Sequence, residues 1–300
     1  MSDWLISIAD TQTGARIAVF LALLGAVMHA AFGAIQKGRH DPWLTRGAID
    51  LSYGLIAVPL VFLVPFPEPH MWSIFVGMFV IHVIYKYVQG SAYQHGAYTV
   101  VYPVARGLGP LLTVLAASIV FSESYTWVQW AGVLLLSLSI FSLSFLNWRR
   151  SKDAAQNIAP ALIFAVASGV MVAVYTTYDA FGIRSSADPF TFLVWFFLID
   201  GLLVFPWVAL VRWLRIDNPP DPGPLLLRGL AGGLIAYFSF GAVMLATRID
   251  RVGEAAVLRE TSPIFAALIG WFVLKESVGY WRAGLMGLIA VGAIVVELGG

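Results

Sequence analysis

The sequence predicts an all-α integral membrane protein of ten transmembrane helices, arranged as two inverted five-helix repeats. Three observations carry that prediction: an apolar composition with little charge, ten apolar runs of membrane-crossing length, and a repeat between the two halves of the chain. Hydrophobic residues make up 59% of the 300 residues and charged ones 12%, at a mean hydropathy of +0.82. That leaves too little polar surface to clothe a water-soluble fold. Lys and Arg number 18 against 17 Asp and Glu, so no basic excess marks a nucleic-acid partner and no acidic tract marks a disordered tail. Cysteine is absent, which removes disulfides, thiolate metal sites and cysteine-borne lipid anchors. The five histidines show no His-Glu-x-x-His spacing, and neither Gly-x-Ser-x-Gly nor a Walker or kinase signature occurs. No metal, cofactor or enzymatic activity is expected.

A hydrocarbon core about 30 Å thick is crossed by about 20 apolar residues. The first such run, Ala15 to Gln36, follows a mostly polar start and exceeds the 7–15 residues of a signal-peptide core, so it reads as a retained helix. The others are Arg46 to Val64, Met71 to Ser91, Ala97 to Phe121, Tyr125 to Leu146, Ile158 to Arg184, Pro189 to Leu210, Leu225 to Thr247, Gly253 to Leu274 and Gly279 to Leu298. Asn147 to Asn157 is the polar linker that divides the chain into a first repeat, residues 1–150, and a second, residues 151–300.

The halves align at a constant offset. Gly109 to Leu115 superposes on Ser262 to Leu268, Arg106 on Arg259, and Glu123-Ser124 on Glu276-Ser277. Five helices per half is an odd number, so the second half enters the membrane with the opposite orientation, which is inverted-repeat transporter architecture.

The Pro-then-Glu pattern (Pro110 with Glu123, Pro263 with Glu276), the Gly-rich helix after each Glu and the Ala-rich helix before each Pro resemble the drug/metabolite transporter superfamily. More narrowly they are similar to its ten-helix EamA-type exporters. The resemblance implies a multi-pass protein of the bacterial inner membrane, monomeric or weakly homo-oligomeric, whose partners are the lipid bilayer and a small-molecule substrate. It implies export of amino acids, with the aromatic amino-acid subgroup as the narrower expectation and nucleosides or drug-like compounds as the alternative. Relatives often carry an Arg near the start of the second helix. Here Arg46 sits early, with Asp50 one turn further in.

Orientation stays open. Cytoplasmic termini would put four cations on their own side and eleven on the other, so the positive-inside rule favours termini outside the cytoplasm. The resemblance points the other way.

Charged side chains inside membrane helices are costly unless paired or wetted, and mark a pathway by default. Arg106 lies about nine residues into its helix, roughly 13 Å deep by helical rise. Arg259 lies about six in, near enough to snorkel. Both stand one turn before a proline, where an interrupted helix frees carbonyls, and either guanidinium could bind a carboxylate bidentately. A structural ion pair with Glu260, Asp200 or Asp50 is the competing role. On the third helix His82, Lys86, Gln89 and Tyr93 share one face at spacings of four, three and four, a stripe suited to line a cavity or to knit helices together. His82 could also carry a proton. Asp200 is a potential counter-ion for Arg106 or Lys86. Tyr175, Tyr178 and Asp179 cluster on the sixth helix, and the interior Trp195 is a candidate substrate wall. Glu123 and Glu276 read as structural anions in tight turns before helices that Ser124 and Ser277 could cap. The rival classes are an intramembrane enzyme, for which no nucleophile, base or metal cluster converges, and a scaffold without a polar cavity.

Overall fold

The computed structural model describes residues 2–36, 41–95, 98–150, 158–272 and 279–300. Among them are thirteen α-helices and no strand: α1 Ser2–Ser7, α2 Gln12–Gln36, α3 Pro42–Leu60, α4 Met71–His95, α5 Tyr98–Val120, α6 Trp127–Arg150, α7 Ile158–Ser185, α8 Pro189–Leu202, α9 Phe205–Leu214, α10 Pro222–Ile249, α11 Val252–Arg259, α12 Ser262–Phe272 and α13 Tyr280–Leu298. Eight spans are long and apolar enough to cross a membrane, α8 with α9 counting as one, and α5 adds the shorter apolar stretch Val104–Val120. The remaining predicted run corresponds to α11 and α12. Lys275, Glu276 and Ser277 lie outside the described residues.

The surface is that of a protein solvated by lipid. Phe62, Ile119 and Trp127 are each more than 80% exposed, whereas Asp50, Lys86, Asp179 and Glu260 are buried. In water that arrangement would be costly on both counts. In hydrocarbon the apolar exterior costs nothing, and charges must find partners inside the protein.

Local sequence sets where helices begin and break. Asp41-Pro42 and Asp188-Pro189 start α3 and α8 in the same way. Each Asp carboxylate accepts from two first-turn amides, Trp43 at 2.8 Å and Phe190 at 2.7 Å being the shorter bonds, and the proline occupies a position whose N–H would have no helical partner. The run Pro189 to Leu210 is broken between α8 and α9 because Pro206 withholds the amide that Leu202 O would accept. The indole of Trp207 donates to that carbonyl at 3.1 Å.

The two repeated prolines behave differently. α5 passes through Pro110 without interruption, while the chain breaks at Glu260-Thr261 just before Pro263. Pro263 has no N–H to offer Arg259 O, and at the break Thr261 Oγ1 donates to Leu258 O at 2.7 Å.

The chain packs as two compact units, Met1–Val83 with Asp179–Ile249 and Ile84–Tyr178 with Asp250–Gly300. Each draws on both sequence halves, and α4 and α7 contribute to both. In the first unit α10 packs on α2 and α3, and α3 on α8 and α9. Small residues permit these crossings: a Cβ on Gly229 would lie 2.7 Å from Ala48, one on Gly233 2.6 Å from Ser52, and one on Gly201 2.7 Å from both Gly54 Cα and Asp50 O. In the second unit α13 packs on α6, and α5 on α6 and α11. Gly132 and Gly292 face one another there, each 2.8 Å from the other's carbonyl oxygen by the same measure. Gly169, in the Ala165-Gly169-Ala173 series, lies against Ala105 and Leu108.

Glu123 is structural, but its partner is another helix. Ser122 adopts a left-handed φ of 56° as the chain leaves α5. The Glu123 carboxylate then accepts from the amides of Val252 at 2.8 Å and Gly253 at 3.3 Å, the open N-terminus of α11. The Tyr125 hydroxyl also donates to it, and burial, together with that carboxylate, pushes the Tyr125 phenol above its ordinary range. α6 is capped by Thr126, correcting the expectation for Ser124: Thr126 Oγ1 accepts from Gln129 N at 3.2 Å and Gln129 Oε1 from Thr126 N at 3.1 Å. This is a reciprocal capping box with glutamine.

Three outcomes follow. Gly201→Val overpacks the α3–α8 crossing and destabilises by about 1–3 kcal/mol, read as a lowered melting temperature in detergent. Gly284→Ala, with nothing within 4 Å, leaves the melt unchanged. Glu123→Ala costs about 0.5–2 kcal/mol, the loss of a cap, and speeds amide exchange at Val252 and Gly253.

Candidate functional site

The second unit gathers charge around Glu260. Arg106 Nη1 donates to both Glu260 oxygens, at 2.8 and 2.7 Å. Arg259 reaches Oε1 through Nε at 3.2 Å and Nη2 at 3.1 Å. Glu260 is 1% exposed and Arg259 7%, so the three groups interact where no water screens them. Two guanidiniums share one carboxylate, and the trio carries a net positive charge. Arg259 Nη1 also lies 3.4 Å from the Tyr175 hydroxyl, with its guanidinium 6.0 Å from that ring's centre. Tyr85 packs on Tyr175 at 4.6 Å between ring centres and accepts a 2.6 Å bond from Gln89 Nε2.

The trio stands at the α11–α12 break. There α12 opens with Ser262 and Pro263, the latter without an N–H, and Ile264 N donates to Thr261 O at 2.9 Å. The Ser262 hydroxyl, 1% exposed, has no hydrogen-bond partner among the described residues. Positive charge and a buried hydroxyl together suit an anion such as a carboxylate.

The first unit holds a second polar group. His82 Nε2 lies 2.9 and 3.2 Å from the two Asp179 oxygens, and His82 Nδ1 lies 3.8 Å from Asp200 Oδ1. Tyr53 donates to Asp200 Oδ2 at 2.5 Å, a contact placed by the Gly54–Gly201 crossing one residue along each helix. Asp50, buried on α3, is paired with Arg46 at 2.8 Å. The edge of Phe196 meets the His82 ring at 5.0 Å.

Of the residues singled out from sequence, Arg106, Arg259, Glu260 and Tyr175 converge. Glu260 is the carboxylate the two arginines share, and Asp200 engages Tyr53 and His82. Gln89 is tied to Tyr85 within its own helix, Lys86 is buried on α4, and Tyr178 is half-buried on α7. Tyr93 lies in α4, its side chain outside the described ones. Trp195 stacks edge-on with Trp72 at 5.2 Å and Phe66 at 5.5 Å in the first unit. Sequence reasoning passed over Tyr53 and Tyr85. Tyr85 sits next to Lys86, off the predicted polar face, and Tyr53 stands in an apolar run with no polar periodicity to mark it. Among the described residues no group of His, Asp and Glu is disposed to hold a metal ion.

Residues 159–298 match the EamA-like transporter family. A solved crystal structure, described only as that of a protein, superposes with a TM-score of 0.72 at 19% sequence identity, over 95% of this chain and 96% of the other. Likeness at that identity speaks for a shared fold. No curated protein matches the chain in sequence.

Glu260→Gln leaves two guanidiniums buried without their carboxylate. It is expected to cost about 3–5 kcal/mol, as for breaking a buried pair, measured by thermal unfolding in detergent. Adding Arg106→Gln recovers part of that loss.

Proposed function

We propose that the chain, whose residues 159–298 match the EamA-like transporter family, is a membrane transporter of small molecules that exports carboxylate-bearing metabolites, amino acids first among them. The observation that carries this reading is the net positive trio of Arg106, Arg259 and Glu260 at the α11–α12 break. A substrate carboxylate would take hydrogen bonds from guanidinium N–H groups and from the Ser262 hydroxyl. The paired rings of Tyr85 and Tyr175 beside Arg259 favour a planar or aromatic side chain on that substrate. Alternating access, with the five-helix repeats rocking in opposite orientations, would carry the bound molecule across. The same reading places the protein in a bacterial inner membrane.

Efflux from proteoliposomes loaded with labelled amino acids, nucleosides and planar drug-like cations tests it. Amino acids leave faster than from empty-vesicle controls, and aromatic ones fastest. Arg259→Ala and Arg106→Ala each slow amino-acid efflux by about 10- to 100-fold, the equivalent of about 1.5–3 kcal/mol for a hydrogen bond to a charged group. Wild-type rates in both variants would remove the anchor from the proposal, and efflux of nucleosides alone would redirect it.

A further inference from the structure

Charge and hydrogen-bond chemistry in the first unit point to a second site with a different ligand. His82 is 3% exposed and lies between two buried carboxylates, Asp179 of α7 and Asp200 of α8. A neutral imidazole has one N–H donor and one lone-pair acceptor. The 2.9 and 3.2 Å contacts from Nε2 to both Asp179 oxygens require the donor there, because a lone pair in that position would oppose two electron-rich atoms. In the neutral ring Nδ1 then turns its lone pair towards Asp200. Their 3.8 Å separation is longer than a hydrogen bond. A proton on Nδ1 converts that contact into a charge-assisted attraction.

We infer that His82 is a proton-carrying site, loading and releasing a proton on Nδ1, the atom that faces Asp200. Imidazole is the side chain suited to do so between about pH 5 and 8. Asp179 and Asp200 place a carboxylate towards each ring nitrogen. Tyr53, donating to Asp200 at 2.5 Å, steadies the carboxylate when the proton leaves, and burial beside Phe196 penalises excess charge in either state. Charged neighbours among the described residues include Asp50, held by Arg46 on α3, and the buried Lys86 on the next turn of α4. Tyr237 of α10 lies behind Phe197, against which it stacks at 4.1 Å.

The proton site does not depend on the transport reading.

The test is nitrogen-15 NMR of histidine-labelled full-length protein in lipid bilayers from pH 5 to 9, with the His82 signals assigned by their loss in His82→Gln or His82→Asn. The ring is expected to pass from imidazolium to the Nε2–H tautomer, with Nδ1 as the nitrogen that loses its proton. In Asp200→Asn the ratio of imidazolium to neutral ring at a given pH falls at least about tenfold. A ring that keeps one protonation state throughout, or that gives up the Nε2 proton first, overturns the inference. Efflux of labelled L-phenylalanine under an imposed pH gradient separates the two proposals. If His82 titrates as stated and no L-phenylalanine moves, the proton site stands and the amino-acid reading falls. If L-phenylalanine moves and His82 does not titrate, the proton site falls.

Discussion

Hydrocarbon offers a charged group no solvent, so a buried ion in this protein must be held by another protein group. The described interior obeys that constraint at each buried carboxylate. Glu260 lies under two guanidiniums, Asp179 meets His82, Asp200 takes the Tyr53 hydroxyl, and Asp50 is paired with Arg46. Such pairs add little net stability, since desolvation offsets much of the Coulombic gain. What they impose is geometry. Each ties two side chains into one arrangement, and three of the four join different helices. The polar groups that make the interior chemically capable are thus the ones that set where its helices meet.

Side-chain size governs the approach that brings them together. Tyr53 reaches Asp200 only because Gly54 and Gly201, the next residue in each case, let α3 and α8 touch through their backbones. The same placement of Arg and Pro leaves α5 continuous and divides α11 from α12, so Arg106 stands within an unbroken helix while its counterpart Arg259 ends one.

The long helices, their apolar exteriors and the residues Arg106, Arg259 and Glu260 were legible in the sequence because they rest on composition and on an aligned repeat. The contacts among them were not. Glu123 was readable as a structural anion in a turn, but its attachment to the amides of α11 joins positions 129 and 130 residues apart, and no local pattern encodes that distance. The helix-capping role expected of Ser124 passed to Thr126 because Gln129 stands three residues on and completes a reciprocal pair. Tyr53 and Tyr85 are tyrosines in apolar runs, and only their neighbours reveal a function.

By itself the sequence determined the solvent of this protein, its helical character, and which few charges would have to be accommodated inside. Each of these follows from transfer energies and periodicities that act residue by residue. Only the tertiary structure decided that two arginines share one glutamate at a helix break, and that a histidine lies between two aspartates. Those arrangements depend on distances across helices far apart in the chain, set by packing, which has no local signature.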